Sequence, residues 1–174
     1  MLFRSLTDIL TSVNKVDEVL VDYEPDTFIC NGVTVPIIKK DQCKLLLKNT
    51  EKGKAEIQGT FGCVLSMECD RCLKDVEVPI HFEIREDISV EEIEHSTETD
   101  ELRYMEGYHL NTEKLIGNEL LINWPMKVLC KDDCKGICKQ CGKDLNLGDC
   151  GCDTFIPDPR MAVINDIFNA NKEV

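Results

Sequence analysis

The chain has 174 residues, of which 43% are hydrophobic and 30% charged, with a formal net charge of −13 and a sequence pI of about 4.6. That length holds one domain with a real core and a small appendage, and no stretch reaches the roughly 18 to 20 consecutive apolar residues of a membrane-spanning helix. The acidity excludes a protein that coats nucleic acid through its overall charge, because phosphate binding runs on clustered Lys and Arg. A local contact stays open, since it depends on how charge is distributed.

The N-terminal stretch carries Leu2, Phe3, Leu6, Ile9, Leu10 and Val13. This spacing predicts a short helix, or a strand followed by a turn. Asp8 comes early and no small-residue cleavage signature follows, so no signal peptide is expected. Asp17–Asp22 and Val33–Ile37 read as short strands around the Asn31-Gly32 turn signal. Leu45 and Leu47 lead into a turn over 49–53. Ala55, Ile57, Phe61, Cys63, Leu65 and Met67 then alternate with mostly polar residues, and Gly59 marks a bulge or a close backbone approach. After Cys69-Asp-Arg-Cys72, the residues Val76, Val78, Ile80, Phe82 and Ile84 alternate strictly, a strand with one buried face. Pro79 argues for a sheet edge, or for a position whose backbone nitrogen faces away from the ladder.

Residues 86–110 are acidic and irregular and predict a solvated loop, partly helical or strand-like. From Glu83 to Glu113 there are eleven Asp and Glu against Arg85 and Arg103. Asn111 reads as the N-cap of a helix through Leu115, Ile116, Leu120 and Trp124, stopped by Pro125. Near the C-terminus, Asp158 as N-cap, Pro159 at the first helical position and Met161, Ile164 and Phe168 on one face predict a last short helix. Together these elements predict one α+β domain over 1–174, an antiparallel β-sheet or partly open barrel packed with a few helices, with a cysteine-rich segment at 130–152 inserted between its last two helices.

There are eleven cysteines, and six lie between Cys130 and Cys152. An odd count without an export signal opposes a secreted disulfide framework and favours a reduced, cytoplasmic protein that binds metal. Cys138-Lys-Gln-Cys141-Gly142 has knuckle spacing, in which two intervening residues let one tight turn aim both sulfurs at a point. Cys150-Gly-Cys152 supplies a second pair. Cys138, Cys141, Cys150 and Cys152 therefore form a candidate closed zinc site, structural and not catalytic. The surrounding Gly, Lys and Asp cannot hold a fold by burial, so the metal would supply the folding energy. The four cysteines alone do not choose between zinc and an iron–sulfur cluster. Cys134 is a substitute ligand.

Cys69 and Cys72 leave more open. They can be half of a metal site completed by later thiols such as Cys130 and Cys134, a redox dithiol, or semi-buried turn residues. Arg71 between them could reach an RNA phosphate or an acidic neighbour. Cys30, Cys43 and Cys63 read as core thiols, and His81, His95 and His109 are isolated. The segment from Lys127 to Lys143 holds five lysines against Asp132 and Asp133. Four zinc-bound thiolates would offset part of that charge.

Three groups of residues, in this order, resemble the YceD family of large ribosomal RNA subunit accumulation proteins. They are Cys69-Asp-Arg-Cys72-Leu-Lys-Asp-Val-Glu-Val-Pro79 after the strand with Gly59; Cys134-Lys-Gly-Ile-Cys138-Lys-Gln-Cys141-Gly-Lys-Asp-Leu-Asn146 with Cys150-Gly-Cys152; and Asp158-Pro-Arg-Met-Ala-Val-Ile164. The likeness extends over about residues 20 to 170. It implies a small β-rich domain, an acidic middle and a role in accumulation of 23S ribosomal RNA, with no catalytic residue to carry over. Many relatives lack the cysteine-rich knuckle, so a metal here is expected to stabilise the C-terminal lobe and not to be the family's working part.

The leading expectation is thus a non-enzymatic ribosome-biogenesis factor with structural Zn2+. Its partner would be ribosomal RNA or a large-subunit ribosomal protein, and not a membrane. The alternatives are a thiol oxidoreductase using Cys69 and Cys72, and a metal-binding adaptor without RNA contact. The sequence does not indicate the oligomeric state.

Overall fold

Period-two alternation dominates the chain and produces mostly strands. The computed structural model describes residues 3–95 and 104–152. They run β1 (Phe3–Ser5), α1 (Thr7–Thr11), β2 (Val16–Val21), β3 (Thr27–Cys30), β4 (Val33–Lys40), β5 (Cys43–Glu51), β6 (Lys54–Glu68), β7 (Asp75–Ser89), α2 (Val90–His95), β8 (Met105–Glu106), β9 (His109–Asn111) and α3 (Thr112–Ile122), with a 3₁₀ turn at Leu145–Leu147. Every strand pairing is antiparallel. The chain divides into two compact units. One takes the residues up to Glu68 with Asp75–Val128; the other takes Cys69–Lys74 with the chain from Leu129.

In the first unit β6 is the axis. It pairs along its whole length with β7, from Lys54↔Ser89 to Glu68↔Asp75. Its other edge is shared, by β5 from Lys54 to Thr60 and by β4 from Cys63 to Leu65. The larger sheet then runs β2-β5-β6-β4-β3, and β1-β9-β8 form a small second sheet. Register puts the apolar phases on one face. Phe61 lies opposite Phe82, Cys63 opposite Ile80, and Leu47 opposite Ile57. Ile9 and Leu10 of α1 and Leu115, Ile116 and Leu120 of α3 join the same buried cluster. Burial of each such side chain contributes about 1.5–3 kcal/mol. Asn49, 1% exposed, is the polar exception. Its amide nitrogen reaches the carbonyls of Ile9 and Glu51 at 2.9 Å and of Lys54 at 3.1 Å, so the buried amide is satisfied.

Several expectations are met with more detail. The N-terminal segment is a strand and then a helix, so the expected short helix forms, preceded by the strand of the alternative reading but without its turn. Asn31 (φ 50°) and Gly32 (φ 80°) are both left-handed and close the β3–β4 hairpin; the strand Thr27–Cys30 ahead of this turn was not expected. At Gly59 the register is unbroken, and an added Cβ would lie 2.6 Å from Leu45 Cδ2 and 2.9 Å from the Lys44 carbonyl oxygen. The glycine serves close approach and not a bulge. Pro79 sits on β7, whose named pairing is to β6 alone, as an edge position allows. Asn111 caps α3, its Oδ1 accepting from the Lys114 backbone N–H at 3.0 Å.

Of the solvated, partly helical or strand-like loop expected over 86–110, residues 96–103 lie outside the described residues. The rest is helix and strand as the second half of that reading has it, and it is buried more than a solvated loop would be. Strand β7 continues to Ser89, α2 follows, and Ile88, Tyr104 and Leu110 are buried. Acidic composition masked an apolar residue every few positions. The helix expected near Asp158–Phe168 lies outside the described residues.

Candidate metal centres

The second unit is built on cysteine. Among its described residues the buried side chains of apolar class are Cys69, Cys72, Cys134 and Cys138. No Leu, Ile, Val or Phe is buried there. A unit with so little hydrocarbon to bury needs another source of folding energy.

Cys138, Cys141, Cys150 and Cys152, the four residues expected from spacing, place their sulfurs within 4.8 Å of one another. The knuckle forms because the Cys138 backbone N–H donates to the Lys143 carbonyl at 2.8 Å and the Gly142 N–H donates to the Cys138 carbonyl at 2.9 Å. Gly142 (φ 72°) supplies the left-handed residue that turns the chain. Gly151 (φ 73°) does the same between Cys150 and Cys152. Cys138 is buried, Cys150 and Cys152 are half-buried, and Cys141 is exposed.

A second group assembles from the open alternatives. Cys69, Cys72, Cys130 and Cys134 also lie with all sulfurs within 4.8 Å of one another. Cys69 Sγ is 3.8 Å from Cys134 Sγ, and Cys72 Sγ is 3.5 Å from Cys130 Sγ. Several polar side chains brace this group. Arg71 Nη1 donates to the Cys134 carbonyl at 2.6 Å, which gives that side chain a structural partner. Asn146 Nδ2 donates to Cys134 Sγ at 3.4 Å, while its Oδ1 accepts from the Lys135 N–H at 2.9 Å. Lys74 Nζ lies 2.6 Å from Asp144 Oδ2, and this ammonium, with the Asn146 amides, holds the Asp144 carboxyl down at about 2. Gly136 (φ 78°) runs against Arg71, where a Cβ would stand 2.9 Å from the carbonyl oxygen.

In the Cys138 group one thiol is held low; in the other group two are, Cys69 and Cys134, the latter because burial, which raises it, is outweighed by the Asn146 amide and the Gly136 N–H. The N–H groups of Cys141 and Gln140, with the Cys150 thiol, hold Cys138 down at about 6. At Cys69 burial raises the thiol pKa, but N–H donors from Arg71, Cys130 and Cys72 outweigh it and leave about 6. The opposite member keeps its proton. Cys130 is pushed up to about 12, first by Cys72, and Cys152 is pushed up to about 12, first by Cys141. Four thiolates cannot share so small a volume without a cation, and a divalent ion removes that conflict. The donor set fits a tetrahedral, thiolate-loving metal.

The oxidoreductase alternative requires an accessible thiol at Cys69 or Cys72; both are buried and each faces a further sulfur. Cys30, Cys43 and Cys63 are core thiols as expected, and burial pushes Cys43 and Cys63 up to about 11. Sequence reasoning gave Asn146 and Asp144 no separate role, because their part depends on a fold that brings residue 74 beside residue 144.

A family model described as "Large ribosomal RNA subunit accumulation protein YceD" matches residues 57–168. The chain belongs to the YceD family. The match is narrower than the span expected from the motifs, and it takes in β6 from Ile57 onward, β7, α3 and all eight clustered cysteines. Neither the curated proteins nor the solved structures contain a match to this chain. The family implies a role in accumulation of large-subunit ribosomal RNA. Either cysteine group could hold a metal ion. Among the described residues no helix is long and apolar enough to cross a membrane.

Proposed function

We propose that this chain is a cytoplasmic, non-enzymatic factor in large-subunit ribosome biogenesis. It supports synthesis, processing or stability of 23S ribosomal RNA by contacting that RNA or a large-subunit ribosomal protein. The carrying observation is the family match over residues 57–168. Cys138, Cys141, Cys150 and Cys152 hold a structural Zn2+, which their tetrathiolate composition and clustering support.

Charge limits how the contact can be made. The described residues of the second unit carry six Lys and Arg against five Asp, and a zinc tetrathiolate adds about −2. Attraction to RNA would rest on where Lys131, Lys135, Lys139 and Lys143 sit, not on the sum. All four are exposed.

Removing the protein from the cell that encodes it should lower 23S relative to 16S ribosomal RNA, and the wild-type chain should restore it. An unchanged ratio would count against the whole reading. Replacing Lys131, Lys135, Lys139 and Lys143 by Glu then separates the two contacts. If RNA is touched directly, the variant loses salt-sensitive binding to 23S ribosomal RNA. If a basic protein is the partner, rescue by the variant is undiminished.

A further inference from the structure

The structure assigns a second metal centre, in which Cys69, Cys72, Cys130 and Cys134 bind one thiophilic divalent cation of the zinc class as four thiolates. On binding, each thiol still protonated passes its proton to solvent and no electron moves. This centre is separate from the zinc site at Cys138, Cys141, Cys150 and Cys152 and does not depend on the ribosomal role.

Size is the first argument. Zinc–sulfur bonds of about 2.3 Å in a tetrahedron place the sulfurs about 3.8 Å apart. The Cys69–Cys134 and Cys72–Cys130 separations of 3.8 and 3.5 Å lie at and just below that edge. The sulfurs thus already surround a space the size of the ion.

The second argument is backbone geometry. The Cys69 N–H donates to the Lys74 carbonyl at 2.8 Å and the Leu73 N–H donates to the Cys69 carbonyl at 2.9 Å. The other knuckle has the same two bonds at the same lengths, Cys138 to Lys143 and Gly142 to Cys138. Position for position, Leu73 replaces Gly142. Leu73 has φ 60° and its side chain is 58% exposed, so no burial rewards the strained backbone. Leucine is disfavoured in that conformation and keeps it only where the surroundings dictate it. The requirement of Cys69 and Cys72 to point at one ion is such a dictate.

Burial and bracing supply the third argument. Cys69, Cys72 and Cys134 are buried, whereas only Cys138 is buried in the other group. The N–H···S bond from Asn146 and the bond from Arg71 to the Cys134 carbonyl fix the ligand loop, as outer-shell contacts do around structural metals. Cys134 lies 65 residues from Cys69 in sequence, and Cys130 lies 58 from Cys72. One ion therefore ties two distant segments into one unit. The Ile137 N–H also donates to the Arg71 carbonyl at 3.1 Å, so the same segment leads directly into Cys138.

The test uses the full-length, reduced protein loaded with zinc and analysed by native mass spectrometry. The wild type should carry two ions. Cys69→Ser/Cys72→Ser and Cys138→Ser/Cys141→Ser should each carry one, and the combined variant none. One ion in the wild type, retained by Cys69→Ser/Cys72→Ser, would overturn the proposal; one ion retained by Cys138→Ser/Cys141→Ser would uphold it even if the other site failed. Should the serine variants misfold, the wild type decides the matter through alkylation mapping. Protection of Cys69, Cys72, Cys130 and Cys134 by zinc, lost on adding chelator, supports the centre. Alkylation unaffected by zinc sinks it.

Discussion

Gly136 and Leu73 show how much of the second unit is decided by single backbone positions. Both have left-handed φ values, 78° and 60°. Gly136 also has Arg71 pressed against the place a side chain would take. Gly136→Ala should therefore cost at least about 1–2 kcal/mol from the backbone alone, and more from the clash. Metal affinity measured by chelator competition should fall roughly ten-fold or further, with the first unit's thermal transition unchanged. An affinity equal to wild type would show that the Arg71–Gly136 approach is not part of the metal-bound fold. Neither position could be ranked from sequence. The glycine among cysteines looked like any loop glycine, and the leucine gave no sign of its conformation.

Among the elements, α3 carries the most unusual load. Leu115, Ile116, Leu120 and the Asn111 cap were legible, because spacing and capping chemistry are local, but the helix ends at Ile122 with Asn123 as its cap, short of the expected Trp124 and Pro125. Glu119 was not legible: it is buried on the same helix, 9% exposed, with Glu86 of β7 beside it. Tyr104 Oη donates to Glu86 Oε2 at 2.9 Å. Burial first, and then the Glu86 charge, raise the Glu119 pKa above its ordinary 4.5. A carboxyl raised on folding stabilises the fold below its unfolded pKa and loses that contribution as pH rises through the folded value. Wild-type stability should thus decline from about pH 4.5 upward through this group, and Glu119→Gln should flatten the decline. Urea midpoints at pH 4.5 and pH 8 measure it: the variant should gain on wild type at pH 8 and not at pH 4.5. A constant difference at both values would mean that Glu119 does not titrate in this range.

For the molecule as a whole, two units rest on different physics. The first buries a cluster from Leu6 to Leu120, and its stability follows from area removed from water. The second buries mainly sulfur among its described residues, and the proposed coordination would supply its stability. A strong chelator should accelerate amide exchange at Cys69, Leu73, Cys134, Cys138 and Gly142, whose N–H groups make the turn bonds, and leave Leu45, Ile57 and Ile84 unchanged. Equal acceleration in both units would show that the metal supports the entire fold. Acid should mimic the chelator, since protonating the thiolates releases the ion.

By itself the sequence determined the antiparallel strands around Gly59, the α3 cap and the Cys138-Cys141-Cys150-Cys152 cluster. Each rests on contacts or spacings within a few residues, where periodicity and turn chemistry are read directly. It also carried the three motif groups that mark the family. Tertiary structure alone decided that Cys69 and Cys72 meet Cys130 and Cys134, that Arg71 bonds a backbone carbonyl, and that Glu119 is buried beside Glu86. Those pairings join residues 33 to 65 positions apart. No local pattern encodes which distant partner a side chain will meet; that follows from strand register and from how the chain returns on itself.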